Sequence, residues 1–423
     1  MSMRLASWIL AASVAGACVG QDEDLQRQIQ RALVDARPAL SEHLGDARRS
    51  GTRPGELALL CLAGLHDGMD PDRAPLKRAL AKLGKAKPSQ TYDLALRLLV
   101  LEACSTFPDR ERLARKDLSS LLAHRSPQGA FQYYERPSTW DLSNTQYGAL
   151  GLRAAAAMGL TVRKEVWTKL ARTVAAQQAP DGGFCYAPRQ STWEPYPSMT
   201  TAGIAVLAVC RQAIGDSGRL SAELDAQLAR AWAWLASPAD AIGAEAVRWS
   251  YYFHYGLERA AILCDVVRVG GKTDWYAKGA EMLVERQLPG GGWQSRYDGH
   301  PGHHISKGRG DSVPTAFAVL FLRRKFQKYA GPITERIVRL VNIGPRSKPS
   351  EVDECARQLA NQGKAAMPAV VRAMRSDVAP RRQVAAKVLD AVVGERFGFD
   401  PDADRDGNRS AVKKAELWYL KNR

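Results

Sequence analysis

Three glycine corners impose the strongest constraint on the fold: Ser126-Pro127-Gln128-Gly129-Ala130-Phe131, Ala179-Pro180-Asp181-Gly182-Gly183-Phe184 and Leu288-Pro289-Gly290-Gly291-Gly292-Trp293. Each sets a Pro/Gly turn directly before a large aromatic residue. Gly129 and Gly183 are 54 residues apart, and Gly183 and Gly292 are 109 apart, close to twice that spacing. A degenerate corner is therefore expected near 238, where Ser237-Pro238-Ala239-Asp240 stands. A period of this length is the signature of a repeated supersecondary unit, each copy burying its apolar face against the next.

The segments between corners alternate in character. Those over 55–65, 91–104, 143–158, 199–214, 251–267 and 312–323 are apolar or small on every side and predict helices buried all round. Those over 25–36, 74–83, 110–124, 163–178, 220–236 and 275–287 are one-sided. In 163–178, for example, Val166, Trp167, Leu170 and Val174 form a stripe, with Arg163, Lys164, Lys169 and Arg172 off it. Six outer–inner hairpins result. Fully apolar inner members favour a closed ring over an open solenoid, whose concave face would leave them wet. The expected fold class is all-α, an (α/α)6 toroid, with no run alternating like a long strand.

The N-terminus reads as an export signal. Arg4 supplies a short positive region, Leu5 to Ala17 an apolar run too short to span a bilayer, and Ala15-Gly16-Ala17 a cleavage site. Plain secretion is favoured over lipidation at Cys18, because Ala15 is a poor first lipobox residue. The division expected is 1–20 signal peptide, 21–330 toroid, 331–349 helix and linker, and 350–423 a small helical domain. A periplasmic or cell-envelope location follows, without a transmembrane segment after signal removal. The formal charge of +16 suits an anionic envelope surface, and export makes nucleic acid an unsuitable partner. Cys61, Cys104, Cys210 and Cys264 lie in apolar helices and read as small core residues, leaving Cys185 as the more accessible thiol.

The glycine corners resemble the Gln-Trp type repeats of the terpenoid-cyclase and protein-prenyltransferase α/α toroids. SNTQYGALGL, SMTTAGIAVL, YGLERAAIL, GGKTDWYAKGAEML and DSVPTAFAVLFLRR together resemble a bacterial exported family of prenyltransferase/squalene-oxidase repeat proteins, over roughly residues 50 to 325. GKAAMPAVVRAMRS and APRRQVAAKVLDAVVG are similar to a HEAT-type helix pair. The resemblance implies a toroid around a central cavity. It does not carry the activities over. Terpene cyclases of class II use an Asp-x-Asp-Asp acid, which this chain lacks, and the Asp-x-Cys zinc pair of prenyltransferases occurs here as Asp353-Glu354-Cys355, outside the toroid.

Several residues could carry chemistry. Aromatic residues where the chain enters the inner helices, Trp140, Trp193, Tyr196, Trp249, Tyr252 and Tyr255, are candidates to rim the cavity and bind an isoprenoid or a glycan. Asp141, Glu194 and His254 are available for proton transfer. His300, His303 and His304 with Asp311 form a weak metal candidate in a Gly-rich loop. Asp402-x-Asp404-x-Asp406-Gly407 opens like a calcium loop, but Lys413 holds the position that needs a bidentate Glu, so a polar turn is the better reading. No cofactor motif occurs. Ligand binding without catalysis is the favoured function, with isoprenoid chemistry and polysaccharide cleavage as the enzyme alternatives.

Overall fold

A computed structural model describes residues 5–46, 52–188, 194–215, 218–244, 248–295, 308–324, 343, 347–360, 366–404 and 406–422, with side chains of the first helix described from Asp24 onward. The chain divides into two compact units, Met1–Tyr329 and Ala330–Arg423.

The first unit contains the six hairpins. Inner helices are α2 (Pro54–Asp67), α4 (Thr91–Ala103), α6 (Leu142–Ala157), α8 (Pro197–Ile214), α10 (Ser250–Cys264) and α12 (Ser312–Arg323). Outer helices are α1 (Leu5–Asp46), α3 (Leu76–Lys85), α5 (Arg110–Ala123), α7 (Lys164–Ala175), α9 (Arg219–Ala236) and α11 (Trp275–Glu285). Each inner helix packs on the next, and α12 packs back on α2, so the ring is closed. This is the (α/α)6 toroid that the periodicity predicts. Ala149, Leu207 and Leu320 are all buried on inner helices. A two-residue antiparallel pair, β1 (Arg268–Val269) and β2 (Thr273–Asp274), joins α10 to α11.

The corners show why their sequence recurs. In each, one backbone bond closes the turn: Ser126 N–H to Ala130 O at 2.8 Å, Ala179 N–H to Gly183 O at 2.9 Å, and Leu288 N–H to Gly292 O at 2.9 Å. The next aromatic, Phe131, Phe184 or Trp293, is wholly buried. Its N–H donates to a threonine hydroxyl on the following inner helix, Thr145 at 3.0 Å, Thr200 at 3.1 Å or Thr315 at 3.0 Å. A buried N–H must find an acceptor, and the hydroxyl supplies it. The corner glutamines hold neighbouring hairpins together. Gln178 Nε2 donates to Gly182 O and to Gln227 O on α9, and Gln287 Nε2 donates to Gly291 O and to Ala32 O on α1.

First and last hairpins meet along a polar seam. Asp67, at the end of α2, accepts from Arg37 on α1 at 2.8 Å and from Arg323 on α12 at 2.5 and 2.7 Å. Ser312 Oγ donates to Glu56, and Arg309 pairs with Glu42 at 2.5 Å. The inner helices carry further ion pairs: Arg97–Asp117 and Arg259–Glu258 are buried, and Arg153 pairs with partly exposed Glu102. Cys61, Cys104 and Cys210 are buried, while Cys185 and Cys264 are partly exposed.

The second unit holds α13 (Pro349–Ala360), α14 (Met367–Met374), α15 (Ala379–Val392) and α16 (Arg409–Asn422) around Leu359, Val370, Met374, Val384, Leu389 and Phe399. The helix expected between 331 and the linker lies outside the described residues. The Asp-rich loop before α16 is organised by buried Asn408. Its Nδ2 donates to Asp400 O at 2.7 Å, and its Oδ1 accepts from Asp400 N–H at 2.9 Å. Asp404 accepts from Gly407 N–H and Asp406 pairs with Arg409, so two of its carboxylates are engaged within the turn.

Candidate functional site

All six inner helices begin at one end of the toroid, and their first turns surround a cavity of about 900 Å³. Gly55 and Glu56 come from α2, Tyr92 and Asp93 from α4, Ser143 and Tyr147 from α6, Pro197, Ser198 and Met199 from α8, Tyr252 from α10, and Val313 and Phe317 from α12. Leu59 and Leu96 deepen the apolar part, and Tyr133, Tyr186, Tyr196 and Trp249 arrive from the segments between helices. The volume lies within the range of small-molecule sites.

The wall is mostly aromatic faces with hydroxyls at defined points. Tyr92 and Tyr147 meet edge-on at 4.7 Å, and Tyr147 is roughly parallel to Tyr252 at 6.3 Å. A hydrogen-bonded chain runs across these rings. Tyr92 Oη donates to Ser143 Oγ at 2.7 Å, Ser143 Oγ and Tyr252 Oη are 3.0 Å apart, and Tyr252 Oη donates to Gln146 Oε1 at 2.6 Å. Burial pushes the Tyr92 and Tyr252 phenols up, so both stay neutral and act as donors at any ordinary pH. Asp93 lines the wall but is saturated, accepting from the N–H groups of Gly55, Ser89 and Gln90 as it caps α4 and ties it to α2.

Glu194, Tyr196, Trp249 and Tyr252 stand at this cavity. Trp193 lies outside the described residues. Trp140 and Tyr255 are buried away from the cavity, a different place from the rim expected of them. Tyr255 packs under the floor, 4.7 Å from Phe317, with the Arg259 guanidinium 3.4 Å over its other side. Its place on the second turn of α10 puts it a layer below Tyr252. Lining residues missed in the sequence, Tyr147 and Phe317, share a signal: each follows the corner threonine (Thr145, Thr315) by two positions.

His254 is also not on the cavity wall; it replaces the corner threonine. Its Nε2 accepts from Gly243 N–H at 3.1 Å, after the degenerate corner, while Nδ1 donates to Ser250 O at 2.8 Å. Both ring nitrogens are thereby used in a neutral imidazole, and burial lowers its pKa to about 4. The unfolded chain takes up a proton near pH 6.5 and the folded one does not. This group's contribution is therefore complete above 6.5 and is lost as pH falls toward 4, by up to about 3 kcal/mol. His254→Gln can keep both hydrogen bonds without titrating. Its stability is expected to change less than the parent's between pH 6.5 and 4 in urea melts; an unchanged slope would remove His254 as the cause.

Asp141 caps α6 and sits behind the wall. It accepts from Asn144 N–H and Asn144 Nδ2, both at 2.8 Å, and from the hydroxyl of Tyr186, which lines the cavity. Burial nevertheless raises the carboxyl to about 6 against these donors. For this group the sign is opposite: the folded protein holds a proton that the unfolded chain loses, so its contribution falls as pH rises from about 4 to 6. His300, His303 and His304 lie outside the described residues. Asp311 is the N-cap residue of α12, and its backbone N–H donates to Trp293 O at 2.8 Å. Among the described residues no group of three His, Cys, Asp or Glu is placed to hold a metal ion, and no helix is long and apolar enough to cross a membrane.

No family model matches this sequence, and no curated protein does. Solved structures with a similar course of chain include a variant of the type II terpene cyclase MstE from Scytonema, in complex with geranylgeranyl dihydroxybenzoate. That match has 15% identity and a TM-score of 0.45, over 71% of this chain and 98% of that one. Another is a possible member of the GH105 family from Salmonella enterica, at 12% identity and a TM-score of 0.48, over 71% and 93%. The likeness is one of fold, and the (α/α)6 ring itself stands on the contacts of this chain.

Proposed function

We propose that this protein binds an amphipathic, mainly apolar small molecule, of the isoprenoid kind, in the toroid cavity and does not transform it. The observation that carries this reading is the open cavity itself, with Leu59, Leu96, Met199, Val313 and Phe317 among ring faces whose hydroxyls are neutral donors. The carboxylates on the wall are poor candidates for protonating an alkene. The Asp93 carboxyl oxygens are engaged by three backbone N–H donors, Glu56 accepts from Ser312, and Glu194 is exposed. Aromatic faces without such an acid bind a polyene but leave it uncyclised. The reading includes export to the cell envelope, supported by the N-terminal residues; N-terminal mass spectrometry of envelope material should find a start near Cys18 or Gln21, and a retained Met1 in cytoplasm would contradict it.

An acid–base enzyme is the second reading, favoured by one observation, the Asp141–Tyr186 hydrogen bond at the cavity wall. Incubation with squalene separates the two. Purified protein is expected to yield no polycyclic product above a heat-killed control. Squalene binding should weaken about tenfold in Tyr252→Ala, the order expected for removing a buried ring from a pocket. A polycyclic product would overturn the binding-only reading, and Asp141 and Glu194 would be the first acids to replace.

A further inference from the structure

The starts of the inner helices are not alike. Asp141 caps α6, and Gln90 with Asp93 closes a capping box on α4. The starts of α2, α8, α10 and α12 have no side-chain cap; at α8, Tyr196 is the N-cap residue, Pro197 follows, and Ser198 and Met199 come next on the cavity wall. Helix geometry leaves the N–H groups of Ser198 and Met199 without carbonyl partners inside the helix, at the positive end of eighteen aligned peptide dipoles. A second observation is independent of the backbone. Ser198 is 2% exposed, and its hydroxyl has no hydrogen-bond partner among the described residues, an uncommon state for a buried polar group. Arg248 completes the setting. It lines the same cavity, lies 5.8 Å over the Trp249 ring, and is close enough to Tyr196 to act on its phenol.

We propose that the start of α8 is an anion subsite, where the N–H groups of Ser198 and Met199, the Ser198 hydroxyl and the Arg248 guanidinium receive the carboxylate or phosphate head of the ligand. The proposal rests on the cavity-binding reading and adds the chemistry of one end of the ligand. Backbone donors at a helix start and a charged fork together are the usual means of holding such a group. The apolar body then extends past Met199 toward Leu59 and Leu96. Glu194 on the same wall opposes an anion; it is exposed, as Arg248 is, so solvent screens both charges. Its replacement, Glu194→Gln, is expected to tighten anion binding a few-fold.

The test uses the full chain and three probes below their micelle concentrations: dodecanol, dodecanoate and dodecyl phosphate, titrated calorimetrically. All three are expected to bind, with the anions at least tenfold tighter than the alcohol. Arg248→Ala should remove most of that preference and Ser198→Ala part of it, with dodecanol affinity unchanged in both. Tyr252→Ala should weaken all three alike. A stronger phosphate than carboxylate would assign the head to a phosphorylated lipid, and the reverse to an acid. Equal binding of alcohol and anions overturns the subsite and leaves the cavity reading intact. A preference that survives both Arg248→Ala and Ser198→Ala overturns the residues assigned. Failure of all three probes to bind overturns the cavity reading and the subsite with it.

Discussion

Leu207→Asp is expected to leave the toroid unfolded. Leu207 is fully buried in α8, which packs against both α6 and α10. Burying a lone carboxylate costs several kcal/mol even after the group protonates, a large part of the 5 to 15 kcal/mol that holds a typical domain together. The control is Leu207→Ala, expected to cost about 2 to 5 kcal/mol through the cavity it leaves, and to fold. Circular dichroism and limited proteolysis distinguish the two. Cooperative melting of the aspartate variant near the parent's temperature would contradict the inner-helix assignment.

Gly291→Ala is the second large effect. Gly291 has φ +87°, and a β-carbon there would stand 1.9 Å from the Asp35 carbonyl oxygen of α1. Neither backbone can yield without moving the corner away from α1, so a loss of about 3 kcal/mol or more is expected from strain and lost seam contacts together. Gly68→Ala is the matched control: φ is +85°, but nothing lies within 4 Å of its added carbon. It should cost about 1 kcal/mol. Hydrogen exchange should show α1 opening in the Gly291 variant alone. Equal losses in both variants would mean that conformation, and not the close approach, sets the cost.

Much of this fold was legible because the repeat is written in backbone needs. A turn, a buried aromatic and a threonine recur together since each corner presents the same orphan N–H, as Phe131 with Thr145 and Trp293 with Thr315 show. His254 was misleading for the same reason. It meets that need with a different acceptor, so a residue type associated with catalysis has a structural place. Aromatic residues in the cavity were only partly legible. Periodicity identifies a helix as buried all round, but not which side of it faces a central space and which faces a neighbour. Tyr252 and Tyr255 are one helical turn apart, and one lines the cavity while the other lies beneath it. At the start of α8 the sequence signalled Tyr196 but not Ser198, because an orphan hydroxyl is visible only once the neighbouring side chains are placed.

The closed seam has a consequence for the order of synthesis. In a row of stacked repeats, each new hairpin can settle on the one already made. Here α1 and α2 must wait for partners in the last hairpin of the ring: Ser312 reaches back 256 residues to Glu56, and Arg323 the same distance to Asp67. Until then one flank of the growing chain presents apolar surface with nothing to cover it, and the cavity has no sixth side. Loop closure across such a span adds only slowly to the entropic cost, but it delays the final contacts. A nascent ring of this kind stays incomplete until its last hairpin arrives, and it then acquires its cavity and its stability in the same step.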